Sequence, residues 1–145
     1  MNIAMFLKPK VEVAYLYDDY SLRQGLEKMS YHGYTAIPVI SRSGKYYSTI
    51  SEGDFLWHIV SGENTEGKME KTDIRSLEDT YIRDIVTAGK NPPVRIAEPV
   101  ELLFERALNQ NFVPVIDDMD SFIGIITRKD ILEYLFKAGA KSANI

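Results

Sequence analysis

Apolar and polar positions along this chain follow a pattern that comes round twice. Leu22, Leu26 and Met29 recur at helical spacing behind Ser21, a natural N-cap, and Gly33 stops the run. Ile37-Pro38-Val39-Ile40 then reads as a buried strand and Ser43-Gly44 as a turn. Residues 45–50 read as a return strand and residues 54–60 as a second helix. Ahead of them, residues 11–17 form a short β-like run ended by Asp18-Asp19. The later half repeats the order. Val94-Arg95-Ile96 predicts a strand, and Val100, Leu103, Phe104, Ala107 and Leu108 a helical stripe. Residues 113–116 pair through the turn at 117–121 with residues 122–126, and Ile131, Leu132, Leu135 and Phe136 line a last helix.

The repetition can be placed residue by residue. Pro38 and Pro114, Ser51 and Thr127, and Asp54 and Asp130 all lie 76 positions apart with no gap between the landmarks. Upstream the offset becomes 78, where Tyr20-Ser21-Leu22 matches Glu98-Pro99-Val100, so the helix region of the second copy is two residues shorter. Residues 62–73 are polar and predict a connecting loop. The predicted organisation is a first motif over 1–62, a linker over 63–78 and a second motif over 79–145. Each motif is strand, helix, strand, strand, helix, an α+β arrangement. Neither closes a core comfortably alone, so the two sheets are expected to pack face to face about a pseudo-two-fold axis.

Composition narrows the function. Among 145 residues, 45% are hydrophobic and 26% charged, as in an ordinary globular protein. The net charge of −4 argues against a nucleic-acid partner, because neutralising phosphates needs a basic face. With no cysteine there is no disulfide, thiolate metal site or thiol nucleophile, and a reducing, cytoplasmic setting is expected. No run approaches membrane-spanning length, and the amino terminus lacks the build of a signal peptide. His32 and His58 lack metal-ligand spacing, and Asp117-Asp118-Met119-Asp120 lacks the glycine and distal glutamate of a calcium loop, so no metal is expected. There is no nucleophile–base pair and no Gly-rich phosphate loop, so no catalysis is expected.

The order of marks resembles a tandem pair of CBS domains, the Bateman module. An apolar-Pro-Val strand and a hairpin are followed by Gly124-Ile125-Ile126-Thr127-Arg128-Lys129-Asp130 opening the last helix. The first copy departs at Ser48, where the family favours glycine, and keeps Ser51 and Asp54. Gly33-Tyr34-Thr35-Ala36-Ile37-Pro38-Val39 and the Thr127-Arg128-Lys129 step resemble small bacterial pairs that bind cyclic di-AMP or AMP. Other relatives bind ATP or S-adenosylmethionine, and some bind nothing known.

The resemblance implies an adenine-nucleotide sensor that forms a homodimer through its helices and acts on a partner protein in trans, with no catalytic cofactor. The faces around Phe55, Leu56, Ile59, Ile131, Leu135 and Phe136 are the expected dimer contacts. A carboxylate in the first helical turn can accept hydrogen bonds from ribose hydroxyls, and charge-assisted bonds are the strong ones. Ser51 with Asp54 and Thr127 with Asp130 fit that role. Ser/Thr-x-x-acid is also a helix-capping pattern, and the two roles are compatible. The family's adenine slot falls here on Val13, Ala14, Tyr34, Thr35, Ala36 and Pro38. Arg128 and Lys129 are the expected phosphate cations, whereas Glu52 in the first copy would repel phosphate, so one anionic-ligand site is expected to dominate. The alternative is a ligand-free interaction scaffold.

Overall fold

The structure is a computed structural model that describes residues 1–61 and 74–143. In chain order its elements are a 3-10 turn Ile3–Phe6, β1 (Lys8–Pro9), a 3-10 turn Lys10–Glu12, β2 (Leu16–Tyr17), α1 (Leu22–His32), β3 (Ala36–Ile40) and β4 (Tyr46–Ser51). There follow α2 (Glu52–Ser61), α3 (Ile74–Asp79), α4 (Ile82–Ile85), β5 (Val94–Arg95), α5 (Val100–Ala107), β6 (Phe112–Ile116), β7 (Phe122–Thr127) and α6 (Arg128–Ala143). They form two compact units, Ala14–Lys90, and Met1–Val13 together with Asn91–Ile145.

In the first unit, β2, β3 and β4 form a sheet in that order, with β2 parallel and β4 antiparallel to β3. α1 starts where its sequence signal lies. Ser21 Oγ accepts from the Gln24 amide at 3.1 Å, while Gln24 Oε1 accepts from the Ser21 amide at 2.9 Å. This reciprocal cap satisfies two otherwise orphaned donors. Gly33, at φ 68°, takes the left-handed turn that ends the helix. Leu22 and Met29 on α1 pack with Leu16, Ile37, Val39, Ile50, Phe55, Ile82 and Val86.

The second unit has a four-stranded sheet in the order β1-β7-β6-β5. Its core gathers Ile3, Phe6, Val94, Leu103, Ala107, Val113, Val115, Ile126 and Ile131. The duplication persists in the hydrogen bonding. Leu16 lies opposite Val39 as Val94 lies opposite Val115, and the pairing slips between Val39 and Ile40 as it does between Val115 and Ile116.

The two copies of the repeat exchange the segments that cover their sheets. The amino-terminal segment adds β1 to β7 and buries Ile3 and Phe6 in the second unit. Residues 74–90 supply α3, α4 and the buried Ile82 and Val86 to the first. The compact units therefore differ from the span of each repeat, because each takes in a covering segment from elsewhere in the chain. Of the linker expected over 63–78, residues 63–73 lie outside the described residues, and Ile74–Asp79 is helical.

Other expectations change for physical reasons. Residues 11–17 are not one strand: Val13 donates its amide to the Lys10 carbonyl at 3.1 Å, closing a 3-10 turn, and Val11 is 93% exposed. Only Leu16–Tyr17 pairs. Leu108 leaves the α5 stripe and is exposed, because the helix ends at Ala107. The carboxy-terminal tail is helical to Ala143, and residues 144–145 lie outside the described residues.

Candidate functional site

The same strand-to-helix turn is built twice. Ser51 ends β4 opposite Ala36, and Thr127 ends β7 opposite Phe112. One residue on, Glu52 donates its amide to the Thr35 carbonyl at 3.0 Å, as Arg128 does to that of Asn111 at 2.9 Å. The closing helix starts at once in both copies, so Ser51 and Thr127 stand at the cap, and Asp54 and Asp130 at the third helical position. That puts a carboxylate where backbone amides are unsatisfied and the helix end is partly positive.

The two copies then divide the capping pattern between them. In the second, Thr127 Oγ1 accepts from the Asp130 amide at 3.1 Å, and the Asp130 carboxylate has no hydrogen bond or ion pair among the described residues. In the first, it is the acid that reaches back. Asp54 Oδ2 accepts from the Ser51 amide at 2.8 Å and from Ser51 Oγ at 3.1 Å. Lys90 Nζ lies 3.0 Å from Asp54 Oδ2 and 3.0 Å from Ser51 Oγ. The Asp54 side chain is 17% exposed and that of Lys90 37%. Sequence reading missed Lys90. It falls where no landmark of the repeat lies, so spacing gives it no partner.

A cleft of about 400 Å³ opens beside Asp54, lined also by Trp57, His58, Asp84, Ile85 and Thr87. That is within the usual range for a small-molecule site. The residues expected to form an adenine slot are not in its lining. Pro38 is buried in β3, Ala36 is half-buried, and Thr35 is exposed with its carbonyl engaged by Glu52. Tyr34 stacks on His32 with ring centroids 5.2 Å apart and is 43% exposed. Ala14 packs against the core of the first unit, while Val13 closes the 3-10 turn of the second.

The expected phosphate cations differ from each other. Arg128 is half-buried, with Nε donating to the Ala107 carbonyl at the end of α5 at 2.9 Å. A guanidinium there complements the negative end of that helix. It also borders a groove of about 370 Å³ with Phe104, Leu108, Ile131, Leu132 and Leu135. Lys129 is exposed, 4.0 Å from Glu133. Of the residues expected on exposed dimer faces, Phe55 and Ile131 instead belong to the two cores, while Leu56, Leu135 and Phe136 are exposed. Asp117 Oδ1 accepts from the amides of Met119 and Ser121, and Arg95 pairs with Asp120 and donates to the Asp117 carbonyl, so the acidic turn is satisfied within the protein.

Among the described residues no group of three or more His, Asp or Glu side chains could hold a metal ion. Nor is any described helix long and apolar enough to cross a membrane.

Comparison with known proteins gives a consistent picture. The family model of the CBS domain matches residues 7–61 and again residues 81–137. Cyclic di-AMP receptor B of Bacillus subtilis is 30% identical over 136 residues, spanning 94% of this chain and 87% of that protein. The crystal structure of CbpB in complex with c-di-AMP matches with a TM-score of 0.83 at 26% identity, covering 99% of this chain and 90% of that one. A hypothetical conserved protein from Geobacillus kaustophilus matches with a TM-score of 0.81 at 28% identity, covering 95% and 98%.

Proposed function

This chain belongs to the CBS-domain family, carrying the domain twice, and on that premise we propose that it is a regulatory nucleotide-binding protein whose ligand is cyclic di-AMP or a related adenine nucleotide. The observation that carries the reading is the strand-to-helix turn built twice, with a carboxylate at the third helical position of each copy. A carboxylate there serves a ribose by accepting hydrogen bonds from its hydroxyls, and the adjoining helix start favours a phosphate nearby. The relative from Bacillus subtilis is named as a receptor for cyclic di-AMP, and CbpB is known with that ligand bound. Both support choosing it ahead of AMP, ATP and S-adenosylmethionine. Arg128 and Lys129 are the cations proposed to add affinity for phosphate, and Tyr34 the ring proposed to stack on the base.

The protein acts by binding, with no chemistry on the nucleotide, and signals by changing its affinity for another protein. For that the ligand must favour one state of the chain over another. Titration calorimetry and thermal melting with the four ligands test the reading. Saturating cyclic di-AMP is expected to raise the melting temperature by several degrees, since about 100 Kd of ligand adds roughly 2.7 kcal/mol to stability. Changing both Asp54 and Asp130 to Asn should abolish the shift while leaving the fold intact. The absence of a shift with any of the four would sink the nucleotide reading and favour a ligand-free scaffold.

A further inference from the structure

The cleft beside Asp54 has an aromatic wall. Asp54, Trp57 and His58 stand at i, i+3 and i+4 on α2 and so share one helical face. Asp84 and Ile85 of α4, with Thr87 beyond it, complete the lining. That side is fixed. Ile82 is fully buried and its amide donates to the Tyr20 carbonyl at 2.8 Å, while the Thr87 carbonyl accepts from Ser48 Oγ at 2.5 Å. Trp57 is 71% exposed, belongs to neither core, and its ring stacks on nothing among the described residues. Asp54 is paired with Lys90, whereas the Asp84 carboxylate has no ion pair among the described residues. Asp84 Oδ2 accepts from the Tyr81 amide at 3.0 Å, and Oδ1 receives no hydrogen bond among the described residues. The cleft therefore disfavours a phosphate and suits an uncharged flat ring that offers amino hydrogens.

The second copy has no such wall. At the repeat offset of 76, Trp57 matches Glu133, which lies 4.0 Å from Lys129. Tyr34 matches Gln110, which is buried and donates to the Pro92 and Phe112 carbonyls. In the first copy Tyr34 adjoins the Asp54 turn, because the carbonyl of the next residue, Thr35, accepts from the Glu52 amide. One copy thus carries two rings at its turn, and the other carries neither.

Resting on the nucleotide reading above, we propose that this cleft is a second base subsite, in which Trp57 stacks one adenine of cyclic di-AMP while Tyr34 stacks the other. A cyclic dinucleotide brings two bases, whereas AMP, ATP and S-adenosylmethionine bring one. Stacking of a base on an aromatic side chain is worth about tenfold or more in affinity. Asp84 accepts a hydrogen bond from the exocyclic amine of the adenine on Trp57. A ligand with one base, held by Tyr34, leaves Trp57 bare and gains nothing from it. Trp57 thereby determines the preference for a dinucleotide, and it seats that dinucleotide at the first copy.

Calorimetry on the full chain with cyclic di-AMP and with AMP tests this. Trp57→Ala should weaken cyclic di-AMP at least about tenfold and leave AMP within about threefold. Trp57→Phe, which keeps a flat ring, should hold cyclic di-AMP within about threefold of the unsubstituted chain. Retained AMP binding, or an unchanged melting temperature without ligand, shows that the alanine variant is folded. Trp57 is the sole tryptophan of the chain, so its fluorescence reads the cleft directly. Saturating cyclic di-AMP should quench it, and saturating AMP should leave it unchanged. An equal loss for both ligands in Trp57→Ala, no loss for cyclic di-AMP, or a loss as large in Trp57→Phe would each overturn the proposal. Should AMP bind too weakly to measure, the fluorescence decides: bound cyclic di-AMP that leaves the Trp57 emission unchanged also overturns it. In each of those cases the nucleotide reading stands. If the unsubstituted chain binds neither ligand, that reading itself fails, and this proposal with it.

Discussion

Gly124 lies directly against Lys8: a Cβ at Gly124 would fall 2.2 Å from the Lys8 carbonyl oxygen. The contact is backbone, so no flexible side chain can give way. Gly124 stands on β7 opposite Pro9. The matching position in the first copy is Ser48, fully buried, whose hydroxyl donates to the Thr87 carbonyl. One copy uses glycine to let a strand lie close, and the other uses a hydroxyl to tie down a loop.

Gly124→Ala is therefore expected to cost about 3 kcal/mol or more, in the range of severe overpacking. Ser48→Ala should cost about 1–3 kcal/mol by leaving a carbonyl without its donor. Chemical denaturation of each variant measures both. Equal, small losses in the two would show that β1 does not sit on β7 as described.

Phe6 tests which sheet the amino terminus completes. Its ring meets those of Phe104 and Tyr134 edge-on, with centroids 6.1 and 4.9 Å away. Phe6→Ala should cost about 3–5 kcal/mol. Hydrogen exchange should then lose protection in β6 and β7 ahead of β3 and β4. The reverse order would place the segment on the first copy.

Thr127→Ala removes the hydroxyl that caps α6 and should cost about 1 kcal/mol. Ser51→Ala removes a hydroxyl that also bridges Lys90 and Asp54, so its effect should depend on Lys90 where the Thr127 effect does not. A double-mutant cycle for each hydroxyl with Lys90→Met reads the difference.

Asp19 supplies a pH test. The hydrogen bond from Arg42 Nε, at 2.8 Å, holds its carboxyl below the ordinary value of 3.8. Arg42 is itself steadied over the Tyr17 ring, 4.0 Å from its centroid. A lowered folded-state pKa means that the contribution is present above the unfolded value and fades as the pH falls through the folded one. NMR titration should place the Asp19 midpoint below 3.8 in the intact chain and near it in Arg42→Met. Identical midpoints would remove the pair from the account.

Much of the fold was legible because local signals agree with tertiary ones. Ser21 and Gly33 bracket α1 as capping rules require, and Pro38-Val39 and Pro114-Val115 mark the inner strands of both sheets. What escaped depends on contacts distant in sequence. Nothing near Ile3 or Phe6 says that they belong beside Ile126, and nothing in the segment 74–90 says that Ile82 and Val86 complete the first core. The apolar residues at 11 and 13 imitate a strand, although Val11 reaches no sheet. At the candidate site, Ser51, Asp54, Thr127 and Asp130 were legible from the repeat. Lys90 was not, because an ion pair between positions 54 and 90 leaves no periodic trace.

The exchange of covering segments also bears on how the chain is made. The described buried residues of the first core lie between Leu16 and Val86, so that core can form while the ribosome is still adding the rest. Residues 1–13 are made well before β7, yet β1 has no edge to join until β7 has been synthesised. Until then, Ile3 and Phe6 lack the core they will enter. Such long-range closure is slow and leaves apolar surface uncovered in the interval. A newborn chain is therefore exposed to misassembly at the segment that carries Ile3 and Phe6.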